Sequence, residues 1–245
     1  MTWKCSWQAT LLRQSGRCDR HGWTVSLLQI DGTVQRQAVG ILSLQTGMTL
    51  VSFSFFSLAL LVLLSRMVRQ GRTDRVDEDI LSFFRRKRTP AADWAMGAVT
   101  WCGSMKLLGP AAATGALVLI MAGQRRHAVV YLLGILGCVG VVYAMKFSFA
   151  RPRPSGGMPA RELPRDPSYP SAHTAQSFSF SIMGLLLADF PGIRAFPFLF
   201  PGVLFSLSAM VALSRIYLQV HYPSDVMAGL LVASGWCATV LLMFN

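Results

Sequence analysis

Six long apolar runs, with charges held mostly to the joints between them, restrict this chain more than any other feature. They are Met48–Leu64, Ser104–Met121, Ala128–Met145, Thr174–Phe190, Phe196–Leu213 and Val226–Phe244. A hydrocarbon layer about 30 Å thick takes roughly 20 predominantly apolar residues per helical span. Runs of that size and continuity read as membrane helices. A soluble all-helical domain is the alternative, and composition speaks against it. Of 245 residues, 53% are hydrophobic and only 14% charged, about half the charged share of an ordinary soluble domain. The expected fold is all-α, an integral membrane bundle of six transmembrane helices. Lys106, near the start of the second run, can snorkel its ammonium to the headgroups.

The joints carry the rest of the information. Residues 1–47 are mixed and polar, with Lys4, Arg13, Arg17, Arg20 and Arg36, and lack the compact apolar core and cleavage site of a signal peptide. They are expected to form an appendage to a membrane domain at 48–245. Because Met48 opens the first run, they could be upstream sequence that is not part of the native chain. In Arg66–Asp93, Val76, Ile80, Phe83 and Phe84 fall near helical spacing opposite Asp77, Glu78, Arg85 and Arg86. That pattern reads as an amphipathic helix in the interface. The formal charge of +12 suits basic loops facing anionic headgroups, and no nucleic-acid motif is present. Cys5, Cys18, Cys102, Cys138 and Cys237 have neither paired nor metal-like spacing, so no disulfide framework and no metal site are expected.

Two joints open on the same side of the membrane, because two spans separate them: Lys146–His173 and Ser214–Asp225. The first holds Lys146, Arg151, Arg153, Arg161 and Arg165 among six prolines. Together the joints supply what phosphoryl transfer needs, fixed positive charge and hydrogen-bond donors around the equatorial oxygens. Lys146, Arg153 and Arg215 provide charge, and arginine's planar fork can take two phosphate oxygens. Ser171 offers a hydroxyl, and the N–H groups around Ala172 would open the fourth helix, whose N-terminus favours an anion. His173 and His221 titrate near neutrality, which suits proton transfer and nucleophilic attack. Asp225 lies four residues beyond His221, so on a helical turn its carboxylate can hold one ring nitrogen and leave the other to attack phosphorus. This assigns His221 as nucleophile and His173 as general acid.

These residues resemble the motifs of the type 2 phosphatidic acid phosphatase superfamily. Its first motif is lysine, six residues, Arg-Pro, here Lys146 to Arg153-Pro154; its second is Pro-Ser-Gly-His, here Pro170-Ser171-Ala172-His173. The third is Ser-Arg, five residues, His, three residues, Asp, here Ser214-Arg215, His221 and Asp225. Ala172 stands where glycine is usual; since the donor there is a main-chain N–H, the change should be tolerated. Spacing favours Arg153 over Arg151 as the motif member, with Arg151 a possible accessory group for headgroup charge. The resemblance covers roughly Met48 to Asn245.

The resemblance implies a membrane lipid phosphatase that needs no metal or other cofactor. It would work through a phosphohistidine on His221 that water releases. Expected substrates are undecaprenyl diphosphate, phosphatidic acid, phosphatidylglycerol phosphate or a lipid A phosphate. Three rivals stay open: a phosphotransferase using a second lipid as acceptor, a vanadate-binding haloperoxidase, which the spans disfavour, and a non-catalytic lipid-binding or transport protein. Oligomeric state is not legible. A positive-inside count, with eight Lys or Arg in Arg66–Asp93, puts the catalytic side in the cytoplasm. The resemblance implies instead a bacterial inner or plasma membrane with an extracytoplasmic site, and that is the expectation adopted.

Overall fold

The computed structural model describes residues 32–155, 166–188 and 190–244, with side chains from Gln45 onward except at Pro191 and Gly192. The chain parts into two units, Met1–Ile41 and Leu42–Asn245. Of the expected appendage, residues 1–31 lie outside the described residues, as do Arg161 and Arg165 of the basic loop.

Each apolar run becomes helical, and the chain is an integral membrane protein. The first run lies in α1 (Gly32–Arg69), which begins upstream of Met48. The interfacial segment forms α2 (Asp74–Arg86). The second run is α4 (Met105–Met121), preceded by α3 (Pro90–Cys102), and the two together make a crossing of 32 residues. The third run is α5 (Arg125–Phe149). The last two are α8 (Leu199–Tyr217) and α9 (Pro223–Met243). Five stretches among the described residues are long and apolar enough to cross a membrane.

The fourth run, expected at Thr174–Phe190, is the exception. Helix α6 (Ala172–Gly184) has 13 residues and continues only as a 3₁₀ turn at Leu185–Leu187 before the short α7 (Pro191–Arg194). Its position explains its length and its composition. It packs against α5, α8 and α9 at the centre of the bundle, with Thr174, Gln176, Ser177, Ser179 and Ser181 buried. A helix enclosed by others needs no apolar face for lipid, and small residues let its neighbours approach closely. The hydroxyls find partners there: Ser181 Oγ donates to Leu204 O at 3.1 Å and lies 2.8 Å from Ser208 Oγ. Helix α1 is the opposite case, with Phe55 at 72% and Phe56 at 62% exposure, a surface made for lipid.

The amphipathic α2 is present, but its inward face is not the one its apolar residues suggest. Val76 and Phe83 are 59% and 50% exposed, whereas Leu81 is fully buried and Asp77 only 2% exposed. The helix packs on α8 and α9, where Gln219 Nε2 donates to Leu81 O at 3.1 Å and Asp77 accepts the Ser224 N–H at 2.9 Å. Polar partners supplied by distant segments decide which face turns inward, and Val76 and Phe83 are left for the lipid.

Candidate active site

Lys146 sits in the last turn of α5, which ends at Ala150 in a left-handed conformation, φ 45°. That conformation costs a non-glycine residue about 1 kcal/mol, and it turns the chain sharply into Arg151-Pro152-Arg153-Pro154. Proline keeps the preceding residue extended, so the two arginines leave the helix on a stiff strand. Ser168 N–H donates to Arg151 O at 2.8 Å and folds the loop back. The start of α6 is tied to the start of α9 by Ser171 N–H donating to Asp225 O at 3.0 Å. Gly229 permits that approach, since a Cβ there would lie 2.6 Å from Ser171 O.

His221 stands between α8 and α9, 1% exposed. Its Nδ1 is 3.3 Å from Ser168 Oγ and 3.5 Å from Asp225 Oδ2, and the Ser168 hydroxyl itself donates to Asp225 Oδ2. Its Nε2 is 3.2 Å from Arg153 Nη1. A guanidinium has donors only, so Nε2 must accept. The proton then resides on Nδ1, where Ser168 Oγ and Asp225 can accept it. The tautomer is set from both ends, and the lone pair on Nε2 faces the cations. Asp225 also accepts the Tyr222 N–H at 2.9 Å, which caps the first turn of α9.

The cations cluster on that side. Lys146 Nζ and Arg153 Nη2 each lie 2.9 Å from the Asp166 carboxylate, and Arg153 also donates to Val220 O at 2.8 Å. Burial alone would raise the Asp166 carboxyl, but Lys146 and Arg153 hold it below the ordinary carboxylate range. Asp166 thus bridges the two cations. Arg215, 5% exposed, donates to Thr100 Oγ1 from α3. Ser171 stands at the N-cap position of α6 without a side-chain capping bond and receives the Thr174 hydroxyl at 3.0 Å, which leaves its own hydroxyl hydrogen to donate. Ala172 opens the helix, 7% exposed.

His173 completes the group. Burial pushes its imidazole down to about 3, and the charges of Arg215, His221, Arg153 and Lys146 push the same way. Burial likewise takes His221 to about 3; the Asp225 carboxylate opposes the shift, and Arg215 and Arg153 add to it. Arg215 and Arg153 act on both histidines, which sets the two rings beside the same pair of cations.

The structure therefore brings Lys146, Arg153, Ser171, Ala172, His173, Arg215, His221 and Asp225 to one end of the bundle. Arg151, the expected accessory group, is engaged by side chains of the protein itself. Its guanidinium lies 2.9 Å from Asp77 and 2.7 Å from Asp225, and stacks 4.1 Å from the Tyr222 ring centre. Sequence reasoning missed Asp77, Asp166, Ser168 and Thr100. Of these only Ser168 had a local signal, a hydroxyl three residues before Ser171.

Comparisons with known proteins agree with the motif reading. Residues 127–245 match the family model described as the PAP2 superfamily, a stretch that holds all three motifs, with α1–α4 outside it. The fold is similar to a crystal structure of a transmembrane PAP2-type phosphatidylglycerolphosphate phosphatase from Bacillus subtilis. The TM-score is 0.70 at 18% identity, over 77% of this chain and 94% of that one. It is also similar to LpxE from Aquifex aeolicus, with a TM-score of 0.51 at 23% identity, over 66% of this chain and 93% of that one. Comparison with curated protein sequences found no match.

Proposed function

We propose, from the match of residues 127–245 to the PAP2 superfamily model, that the chain is a member of that superfamily and hydrolyses a lipid-linked phosphomonoester or diphosphate through a phosphohistidine on His221. The observation that carries this reading is the orientation of His221, with Nδ1 against Ser168 and Asp225 and the lone pair of Nε2 facing Arg153.

The substrate phosphate takes the place of Asp166 among Lys146 and Arg153, with Arg215, the Ser171 hydroxyl and the opening N–H groups of α6 as further donors. As Arg153 turns to a phosphate oxygen it uncovers Nε2, whose lone pair forms the N–P bond while the bond from phosphorus to the lipid oxygen breaks. Protonated His173 gives its proton to that oxygen, and the lipid leaves as an alcohol or a monophosphate. The imidazolium formed on His221 keeps its Nδ1 proton against Asp225, whose charge stabilises it. Water then attacks phosphorus, neutral His173 takes its proton, and the N–P bond breaks with its electron pair returning to Nε2.

The rest of the molecule suits a substrate with a hydrocarbon tail. A cavity of about 360 Å³ between α1, α5 and α9, lined by residues such as Val51, Leu58, Val141 and Trp236, gives one chain an apolar slot. The reading carries with it a bacterial inner membrane and an extracytoplasmic site. Some arginines in the positive-inside count are engaged by protein: Arg69 lies 4.2 Å from the Phe149 ring centre and Arg88 3.0 Å from Asp93. Their number is therefore a weak guide to orientation.

The test is phosphate release by detergent-purified protein in EDTA, from phosphatidic acid, phosphatidylglycerol phosphate, undecaprenyl diphosphate and a lipid A phosphate. Release that resists EDTA and disappears in His221→Ala is expected. Equal release by that variant would overturn the assignment.

A further inference from the structure

Among the described residues, Asp77 on α2 is a buried charged side chain that no motif accounts for, 2% exposed. A carboxylate taken out of water costs several kcal/mol unless it is paired and hydrogen-bonded. Asp77 is both. Its Oδ1 accepts the Ser224 N–H at 2.9 Å, and its Oδ2 accepts the Ser224 hydroxyl and Arg151 Nη2, the latter at 2.9 Å. Arg151 Nη1 in turn donates to Asp225 Oδ1 at 2.7 Å and to Ser224 Oγ at 2.8 Å, and Asp74 lies 3.5 Å from Nη2. The result is a continuous line of carboxylate, guanidinium, carboxylate and imidazole from α2 to His221.

We propose that Asp77 is a positioning residue: by holding Arg151 between two carboxylates it fixes Asp225 against the Nδ1 proton of His221. The proposal rests on the reading of His221 as the nucleophile. Asp225 has little freedom left, since Oδ1 is taken by Arg151 and Oδ2 by Ser168 and the Tyr222 N–H. With Asp77 neutral and only the exposed, more distant Asp74 left beside Nη2, more of the charge of Arg151 would bear on Asp225, draw its carboxylate away from Nδ1 and weaken its support of the imidazolium. Asp77 also keeps the Arg151 guanidinium on the far side of Asp225 from Nε2, away from the phosphate-binding cations. Asp77 lies on α2, outside the stretch that matches the family model, so α2 contributes this support from beyond the motif loops.

The experiment compares full-length wild type, Asp77→Asn and Asp77→Glu on phosphatidic acid in mixed micelles. It measures kcat, KM, competitive inhibition by inorganic phosphate, and thermal midpoint. Asp77→Asn is expected to lower kcat about tenfold or more, with KM and phosphate inhibition within about twofold, because the phosphate-binding cations are untouched. Asp77→Glu keeps the charge but displaces it by a methylene, and should lower kcat by a smaller factor at the same KM. It carries the test if the Asn variant does not fold. Wild-type kcat in either folded variant overturns the proposal. So does a loss in which KM and phosphate inhibition weaken together with kcat, because Asp77 would then be holding the whole pocket rather than the dyad. Wild-type protein with no turnover on any lipid phosphate would overturn the phosphatase reading and this inference with it.

Discussion

A buried histidine, His221, and a half-buried one, His173, beside three cations determine how activity should respond to pH. An ordinary imidazole titrates near 6.5, whereas His221 and His173 are both held down to about 3. A lowered value keeps His221 neutral, and so nucleophilic, well into the acid range. As the proposed acid His173 needs a proton, which burial and the neighbouring cations disfavour. The proton therefore arrives with the substrate, either as the phosphate monoanion or because a bound dianion offsets the neighbouring cations. Phosphate monoesters lose their second proton near pH 6, so kcat/KM on a monoester should be higher at about pH 5.5 than at about pH 8, with no acid limb near 6.5. A profile that falls on the acid side of about 6.5 would contradict the placement of His221. The residues of this pocket were legible in the sequence where fixed spacing joins them, as from His221 to Asp225. Asp77 was not, because its partner Ser224 lies 147 positions away and its neighbours on α2 make it look like part of a solvated face. Thr100 was hidden for the same reason, because its partner Arg215 lies across the bundle; Asp166 pairs with Arg153 and Lys146 around its own loop, at a spacing that no helix or turn periodicity marks.

Helix α2 is the element on which the site depends most among those outside the motif loops. Leu81, fully buried, and the bond from Gln219 to its carbonyl seat it on α8. Leu81→Ala should remove about 2–4 kcal/mol of packing. The expected result is a lower thermal midpoint, faster proteolysis around Arg72 and Arg75, and reduced kcat, since Asp77 moves with the helix. An unchanged midpoint with full activity would show that α2 is not held by this face. The membrane helices themselves were readable from the length of their apolar runs, because lipid-facing surface must be apolar whatever the tertiary packing. That logic fails for α6, whose neighbours are other helices, and for α2, whose inward face is chosen by buried polar partners. The same two elements are where expectation and structure part.

For the whole molecule, the bundle sets the end of α5, the start of α6 and the turn between α8 and α9 at one end, with α2 packed beside them. Span parity in the sequence already put the two motif joints on one side of the membrane, and the bonds from Ser171 to Asp225 and from Arg153 to Val220 close them into one pocket. Such a pocket at the end of a bundle lets a charged headgroup react while its hydrocarbon stays in lipid. In the proposed reaction His221 becomes covalently phosphorylated during turnover. The direct measurement is a rapid alkaline quench of wild-type protein mixed with phosphatidic acid, followed by mass spectrometry of the peptide containing His221. Phosphate on His221, labile to acid and absent from the His221→Ala variant, is the predicted result. Turnover at the wild-type rate with phosphate on no histidine, or on His173 instead, would contradict it.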